Sequence, residues 1–529
     1  MRKFCSYGPI NTRLHYYVPR KALVDRAITQ LVGEDPDEGG HYITVWAPRQ
    51  AGKTWVMQQV LWRLQEDERF DVLKIDLEHL KEEDVDGIVQ YIAQEIVEKL
   101  GLKHSVAGTL KEFHGLFQKS VLDKPLILIL DEFDALKPEA ISSIASVFRN
   151  VYNVRRNEGR LPTGEKSYLL HGLALIGVRA VLGIESQTGS PFNVQRSMHV
   201  PNLTFDEVQE MYRWYERESG QKVEQAVIDR VFYETQGQPG LVSWLGELLT
   251  ETYNHDPTQP LTLDDFEEVY SAAINVLPNN NILNIISKAK QSPYRKVVLE
   301  MFRTGEPLPF RYDNPRLNFL YMNGVVAWER VGRDRYDVKF PCPFVQKRLF
   351  NYFADDLFGQ MVRVHDPFAD LSDTITEDSL NVENLLRRYG VYLRENSEWL
   401  LKGVPRRADM RPYEAVYHFS LYMYLSRFLR HHDGRVWPEF PTGNGKVDLS
   451  IEYAGRVYGL EVKSFASAYE YRKSLGQAAR YGKRLGLEEI TLAFFVETID
   501  ETNRAKYEVV YEDEETGVTV MVVFVETGT

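Results

Sequence analysis

Cysteine is nearly missing: Cys5 and Cys342 are the only two among 529 residues. Two distant thiols cannot build a disulfide framework or a cysteine-rich zinc module, and such a chain suits a reducing, cytoplasmic setting. Long apolar runs are missing as well. No window reaches the ~18 apolar residues of a membrane span, and residues 1–13 lack the apolar core of an export signal, so neither embedding nor export is expected. A basic excess is also lacking. The 63 Lys and Arg against 76 Asp and Glu leave a net charge of −13, which argues against wholesale attraction to nucleic acid.

What is present is the composition of a folded chain. Hydrophobic residues make up 43% and charged residues 26%, far from the apolar-poor signature of disorder. At roughly 150 residues per domain the length predicts three or four folding units. Charge is unevenly spread: residues 281–350 hold 13 Lys and Arg against 6 Asp and Glu. That stretch is a basic module inside an acidic chain.

The first third alternates short apolar runs (42–46, 72–77, 126–130, 169–178) with helical periodicity, which predicts a parallel sheet covered by helices. The polar stretch 155–166 reads as a loop. From Thr204 to Tyr253 the pattern is helical, opened by a capping box of Thr204 and Glu207, and predicts a helical lid. Helices followed by two β-type runs around 331–335 predict a winged helix. The expected organisation is a sheet core at 1–203, a lid at 204–280, a basic winged-helix module at 281–354, a connector at 355–408 and a final α/β domain at 409–529.

Between the first strand and first helix stands Ala47-Pro48-Arg49-Gln50-Ala51-Gly52-Lys53-Thr54. It matches G-x-x-x-x-G-K-[ST] except for the leading glycine. Converging N–H groups at Gln50, Ala51 and Gly52 suit phosphates, the Lys53 ammonium suits the β/γ oxygens, and the Thr54 hydroxyl suits Mg²⁺. The run 126–130 ends in Asp131 and Glu132, the first fit for the metal shell and the second for orienting or deprotonating a water. An ordinary strand–turn–helix junction would not require this second element. Over residues 10–255 the chain resembles the AAA-like ATPases of the P-loop class, through Tyr16-Tyr17-Val18-Pro19-Arg20, the loop itself, Ser190-Pro191-Phe192-Asn193 and the lid element Gly237-Gln238-Pro239-Gly240. The resemblance implies ATP and Mg²⁺ as cofactors, places Pro239 near the adenine, and sets Tyr17 and Arg20 beside the base. The fourth strand ends Ile176-Gly177-Val178-Arg179, without the usual polar residue. Arg179 and Arg196 each fit a phosphate-directed role or a structural ion pair.

Near the C-terminus two alternating runs, 447–453 and 457–463, flank Ala454-Gly455. With that pair as a two-residue turn, Tyr453 opposes Arg456 and Asp448 opposes Glu461, with Cβ atoms about 4.5–5.5 Å apart. Both carboxylates could then hold one Mg²⁺, or alternatively Mn²⁺, with Lys463 on the same face to stabilise charge developing on a phosphodiester. An amphipathic hairpin whose polar face merely meets water has the same pattern. The stretch 414–497 resembles the PD-(D/E)xK nuclease superfamily, through Glu414, Glu439 before Gly443-Asn444-Gly445-Lys446, the triplet Asp448, Glu461 and Lys463, and Gln477 four residues before Tyr481. The resemblance implies Glu439 as a further metal or water ligand, and Gln477 with Tyr481 beside the metal or the nucleic-acid backbone. Glu414 reads equally as a helix-surface residue.

The expectation is therefore an α/β chain joining a P-loop ATPase with lid, a winged helix and a restriction-endonuclease-like domain. It would be an ATP-regulated, metal-dependent nuclease on DNA, with RNA as an alternative substrate, no membrane partner, and a homo-oligomer or protein partner through the winged helix. By architecture it is similar to prokaryotic genome-defence effectors. The competing reading is a nucleotide-dependent switch whose nuclease fold binds without cutting.

Overall fold

The computed structural model describes residues 1–177, 195–302, 308–361, 363–366, 368–406, 412, 414–439, 448–465 and 467–528, with the side chains of Gln195, Glu414, Glu439 and Asp448 left aside. The chain forms two compact units: Met1–Asn281 with Asp313–Gly324, and Ile282–Tyr312 with Val325–Thr529.

The first unit is built on helices α1 (Lys21–Val32), α2 (Lys53–Leu64), α3 (Val85–Leu100), α4 (Leu110–Leu116) and α5 (Pro138–Asn157) around strands β1 (Tyr42–Trp46), β2 (Asp71–Asp76), β3 (Leu126–Asp131), β4 (Leu170–Gly177) and β5 (Gln195–His199). The strands lie parallel in the order β2-β3-β4-β1-β5. Strands β1, β3 and β4 are buried at every residue, as a sheet with helices on both faces demands. One core joins Leu128, Leu130 and Leu173 to α3, α4 and α5. The other joins Val45, Ile129 and Ile176 to α1 and α2. Helix α5 runs into the stretch expected to be a loop, and Thr163–Glu165 is a short 3-10 turn. Arg155, at the end of α5, explains the extension: its guanidinium donates to Thr163 Oγ1 at 2.8 Å, which in turn meets His171 Nδ1 at 2.8 Å. A buried network thus ties the helix end to β4.

The lid holds α6 (Phe205–Ser219), α7 (Gln225–Thr235), α8 (Pro239–Glu247) and α9 (Leu263–Asn275). The capping box is present, with Thr204 N–H donating to Glu207 Oε2 at 2.9 Å and Glu207 N–H to Thr204 Oγ1 at 3.2 Å. Beyond it come α10 (Asn280–Ala289), α11 (Tyr294–Met301) and α12 (Pro315–Met322), then the antiparallel pair β6 (Ala327–Arg330) and β7 (Tyr336–Lys339). The hairpin stands where the sequence placed it. Helix α12, however, groups with the first unit, where Met322 and Tyr321 pack on Trp46.

The second unit continues with α13 (Pro343–Phe358), α14 (Val382–Leu400), α15 (Glu414–Leu429), β8 (Arg435–Glu439), β9 (Asp448–Tyr453), β10 (Arg456–Ser464), α16 (Ala468–Arg484), β11 (Glu489–Val496), α17 (Glu501–Tyr507), β12 (Val510–Glu512) and β13 (Thr519–Glu526). Its mixed sheet has the order β12-β13-β11-β10-β9-β8. The stretch expected to be a connector supplies α14, an integral layer: Tyr389 Oη donates to Ser420 Oγ at 3.0 Å and its ring packs on Phe495.

Candidate functional sites

The loop after β1 is shaped by backbone that few side chains tolerate. Gln50 has φ of 56° and Gly52 of 87°, left-handed values that curl the chain before α2 begins. Ala51 is buried. Lys53 opens α2 with its ammonium 3.0 Å from the Ala47 carbonyl and 3.2 Å from that of Pro48. Burial lowers its proton affinity, and Glu132, Asp134 and Asp131 oppose that shift.

At the carboxyl end of β3 the Thr54 hydroxyl lies 3.5 Å from Asp131 Oδ1, the Glu132 N–H donates to the same oxygen at 3.1 Å, and Lys74 Nζ lies 2.8 Å from Oδ2. A hydroxyl and a carboxylate converging beside the loop fit the oxygen-donor shell of Mg²⁺. Glu132 sits at a left-handed φ of 53°, and burial raises its carboxyl pKa against the pull of Lys53. That direction suits a group asked to take a proton.

The lid reaches the same loop. Gly240 N–H donates to the Gln50 carbonyl at 3.1 Å, and Gln238 Nε2 donates to that of Arg49 at 3.2 Å. Pro239 thus begins α8 directly over the loop. Tyr17 packs edge-on against Trp55 at 5.1 Å and against Trp214 at 5.5 Å. With Pro19, Gln59 and Trp62 it lines a cleft of about 660 Å³. Arg20 turns elsewhere: its guanidinium donates to the Pro201 carbonyl at 3.0 Å and pairs with Glu207 at 3.4 Å. Arg196 pairs with Glu34 at 2.9 Å. Arg179 and the Ser190-Pro191-Phe192-Asn193 segment lie outside the described residues.

Three participants escaped the sequence reading. Lys74 is one of two polar positions, with Asp76, in the run 72–77. Trp55 on α2 has no local signal of the cleft it lines. Asp134 follows the carboxylate pair in a 3-10 turn. A Cβ on Gly177 would collide with the Asp134 side chain, so Asp134 brings a carboxylate to the end of β4, where the strand itself has no polar residue.

In the second unit the turn at Ala454-Gly455 has φ of 49° and 71°, the values of a tight two-residue hairpin. Tyr453 pairs with Arg456 and Leu449 with Leu460, so the ladder follows the expected register as far as that row and ends one residue short of Asp448 and Glu461. On the other edge of β9, Glu439 pairs with Asp448. Positions 439 and 448 are therefore paired across β8 and β9, and Glu461 lies one residue beyond the last row that β10 shares with β9. The side chains of Glu439 and Asp448, Glu414 likewise, and the Gly443-Asn444-Gly445-Lys446 segment are outside the described residues.

Lys463 Nζ lies 2.9 Å from Glu461 Oε1, with the two side chains 9% and 3% exposed. The alternative to a metal site was a polar hairpin face that merely meets water. Instead both faces are covered: in the parallel register Glu461 and Lys463 flank Leu492 and Phe494, which pack beneath α16, while Leu460 and Val462 are buried on the opposite face. Gln477 is half-buried on α16, and Tyr481 belongs to its core. His418 on α15 is buried, and desolvation together with the nearby Lys463 lowers its pKa to about 3. Among the described residues no three His, Cys, Asp or Glu side chains form a metal-binding group.

The basic module is partly self-neutralised. Arg295 pairs with Asp356 at 2.7 Å, Arg335 with Asp337 at 3.0 Å and Lys339 with Glu329 at 3.8 Å.

Residues 5–256 match the family model of the AAA-like domain, and the first site lies within the matched stretch. Among solved structures, a Walker-type ATPase of Pyrococcus abyssi is similar at 14% identity over 65% of this chain and 99% of that one, with a TM-score of 0.43. The Orc1 protein of Aeropyrum pernix, solved in complex with DNA, is similar at 16% identity over 66% and 95%, with a TM-score of 0.33. The RuvB Holliday junction branch migration motor of Thermotoga maritima is similar at 14% identity over 60% and 91%, with a TM-score of 0.32. No curated protein matches the sequence. No helix among the described residues is long and apolar enough to cross a membrane.

Proposed function

We propose that the chain is an ATP hydrolase whose nucleotide cycle governs a metal-dependent nuclease acting on DNA, with RNA as the alternative substrate. The observation that carries the first half is the convergence of Lys53, Thr54, Asp131 and Glu132 at the carboxyl ends of β1 and β3, within a domain that matches the AAA-like family. ATP bound there would set its phosphates in the loop, its Mg²⁺ against Thr54 and Asp131, and its base toward Tyr17 and Trp55. Glu132 would take the proton of the attacking water. Pro239 and its neighbours would sense the nucleotide through the two lid–loop hydrogen bonds.

The second half rests on the pairing of positions 439 and 448 across β8 and β9, on the register of β9 with β10, which continued by one row would set position 448 beside Glu461, and on Lys463 2.9 Å from Glu461. Glu439, Asp448 and Glu461 would hold a divalent ion, whose chemistry there would be the activation of a water, and the Lys463 ammonium would offset charge on the phosphodiester. Coupling would start at the loop itself. A Cβ on Gly324, the last residue of α12's segment before the chain enters the second unit, would lie 3.0 Å from Pro48 Cβ, so a loop that shifted on nucleotide binding would press on the end of that segment.

A second reading has its own support: the burial of Glu461 and Lys463 favours a switch that binds nucleic acid without cutting it. Incubating circular DNA with protein, Mg²⁺ or Mn²⁺ and ATP separates the two. Nicking that disappears in Lys463→Ala supports the nuclease; binding without nicking by the wild type supports the switch.

A further inference from the structure

Lys74 takes no part in the chemistry proposed above, yet it touches the residue that would hold the metal. It lies on the edge strand β2 opposite Ile129, while Asp76 stands opposite Asp131. To reach Asp131 its stem leans about two residues, ~7 Å, toward the carboxyl end of the sheet. It arrives 2.8 Å from Asp131 Oδ2. The other oxygen faces the Glu132 N–H and the Thr54 hydroxyl. Asp131 is 1% exposed and the Lys74 side chain 15%, so little water screens this pair. Lys53, the neighbouring ammonium, is directed at the Ala47 and Pro48 carbonyls instead.

We propose that Lys74 is a resident counter-cation of the Mg²⁺ site, exchanged for the metal when it binds with nucleotide; this rests on the ATP reading above. A buried carboxylate requires a partner, and Lys74 is that partner at Oδ2. A divalent ion at Asp131 neutralises the same carboxylate with twice the charge and repels the ammonium. The competition is reciprocal: the metal weakens the Lys74 pair by as much as Lys74 weakens the metal. Lys74 thereby sets how much Mg²⁺ the site needs and reports its arrival to the edge of the sheet.

The test is a Mg²⁺ titration of fluorescent ADP-analogue binding to the full chain, with wild type, Lys74→Met and Lys74→Gln compared. Removing the ammonium should lower the half-saturating Mg²⁺ concentration about fivefold. The unfolding midpoint of either variant should also rise more on adding Mg²⁺ with ADP than that of the wild type. A midpoint for Mg²⁺ that is unchanged or higher in the variants overturns the exchange and leaves Lys74 a structural partner. The wild type supplies a check free of folding defects: acetylation of Lys74, followed by mass spectrometry, should increase with Mg²⁺ and ADP over ADP with chelator. Equal labelling contradicts the proposal. Wild type that binds no analogue at all overturns the ATP reading, and the exchange with it.

Discussion

At the Lys53 ammonium two forces oppose each other: burial disfavours the charge, while Asp131, Glu132 and Asp134 hold it. A triphosphate would strengthen the second. Lys53→Ala should therefore weaken nucleotide affinity by about a hundredfold or more, a loss of about 3 kcal/mol, read by fluorescent-analogue titration. Glu132 poses the converse case. Burial raises its pKa, and Glu132→Gln keeps the shape while removing the base, so binding should persist while turnover falls about 10²- to 10⁴-fold. Two histidines set the acid limit of the fold. His171 in the first unit and His418 in the second both have pKa values lowered by burial to about 3, against 6.5 when unfolded. Each is buried neutral, so its contribution is complete above pH 6.5 and is lost as the pH falls from there toward 3. At pH 4.5 the expected loss is about 3 kcal/mol for each histidine. Thermal midpoints that do not differ between pH 7 and 4.5 would contradict this.

At the level of elements, two glycines at positive φ mark close approaches, one before α8 and one after α12. Gly237 has φ of 69°, and a Cβ there would strike the Leu203 carbonyl; Gly237→Ala should cost the first unit about 2 kcal/mol or more, seen in its denaturant midpoint. Gly324 has φ of 71° and backs onto Pro48. Gly324→Val should leave nucleotide binding within about threefold while reducing the effect of ATP on the second unit. Much of this was legible from the chain. The Ala454-Gly455 turn fixes the pairing of β9 with β10 because a two-residue loop allows one register, and Thr204 with Glu207 marks the start of α6 because both halves of the cap are local. The packing role of α14 was hidden. Its periodicity is flanked by acidic loops, and its partners Ser420 and Phe495 lie far along the chain. Lys74, Trp55 and Asp134 were hidden for the same reason, since their roles come from strands and turns brought together only by the tertiary fold. The burial of Glu461 and Lys463 likewise depends on α16 closing over a face that alternation alone marks as polar.

Across the whole molecule, the proposed function assigns a triphosphate to one unit and metal-dependent cutting to the other, along a chain that passes between the units at residues 281/282, 312/313 and 324/325. The two sites fail separately. Lys53→Ala should abolish the effect of ATP and leave the metal-dependent site chemically intact, whereas Lys463→Ala should spare ATP binding and remove cutting. The most direct test is a cleavage assay on single- and double-stranded DNA and RNA, with Mg²⁺ or Mn²⁺, with and without ATP, run on wild type, Lys53→Ala and Lys463→Ala. The account predicts metal-dependent cutting by the wild type that changes with ATP, loses its ATP response in Lys53→Ala, and vanishes in Lys463→Ala. Cutting by Lys463→Ala at the wild-type rate, or a wild type that binds nucleic acid and cuts none of these substrates, would contradict it.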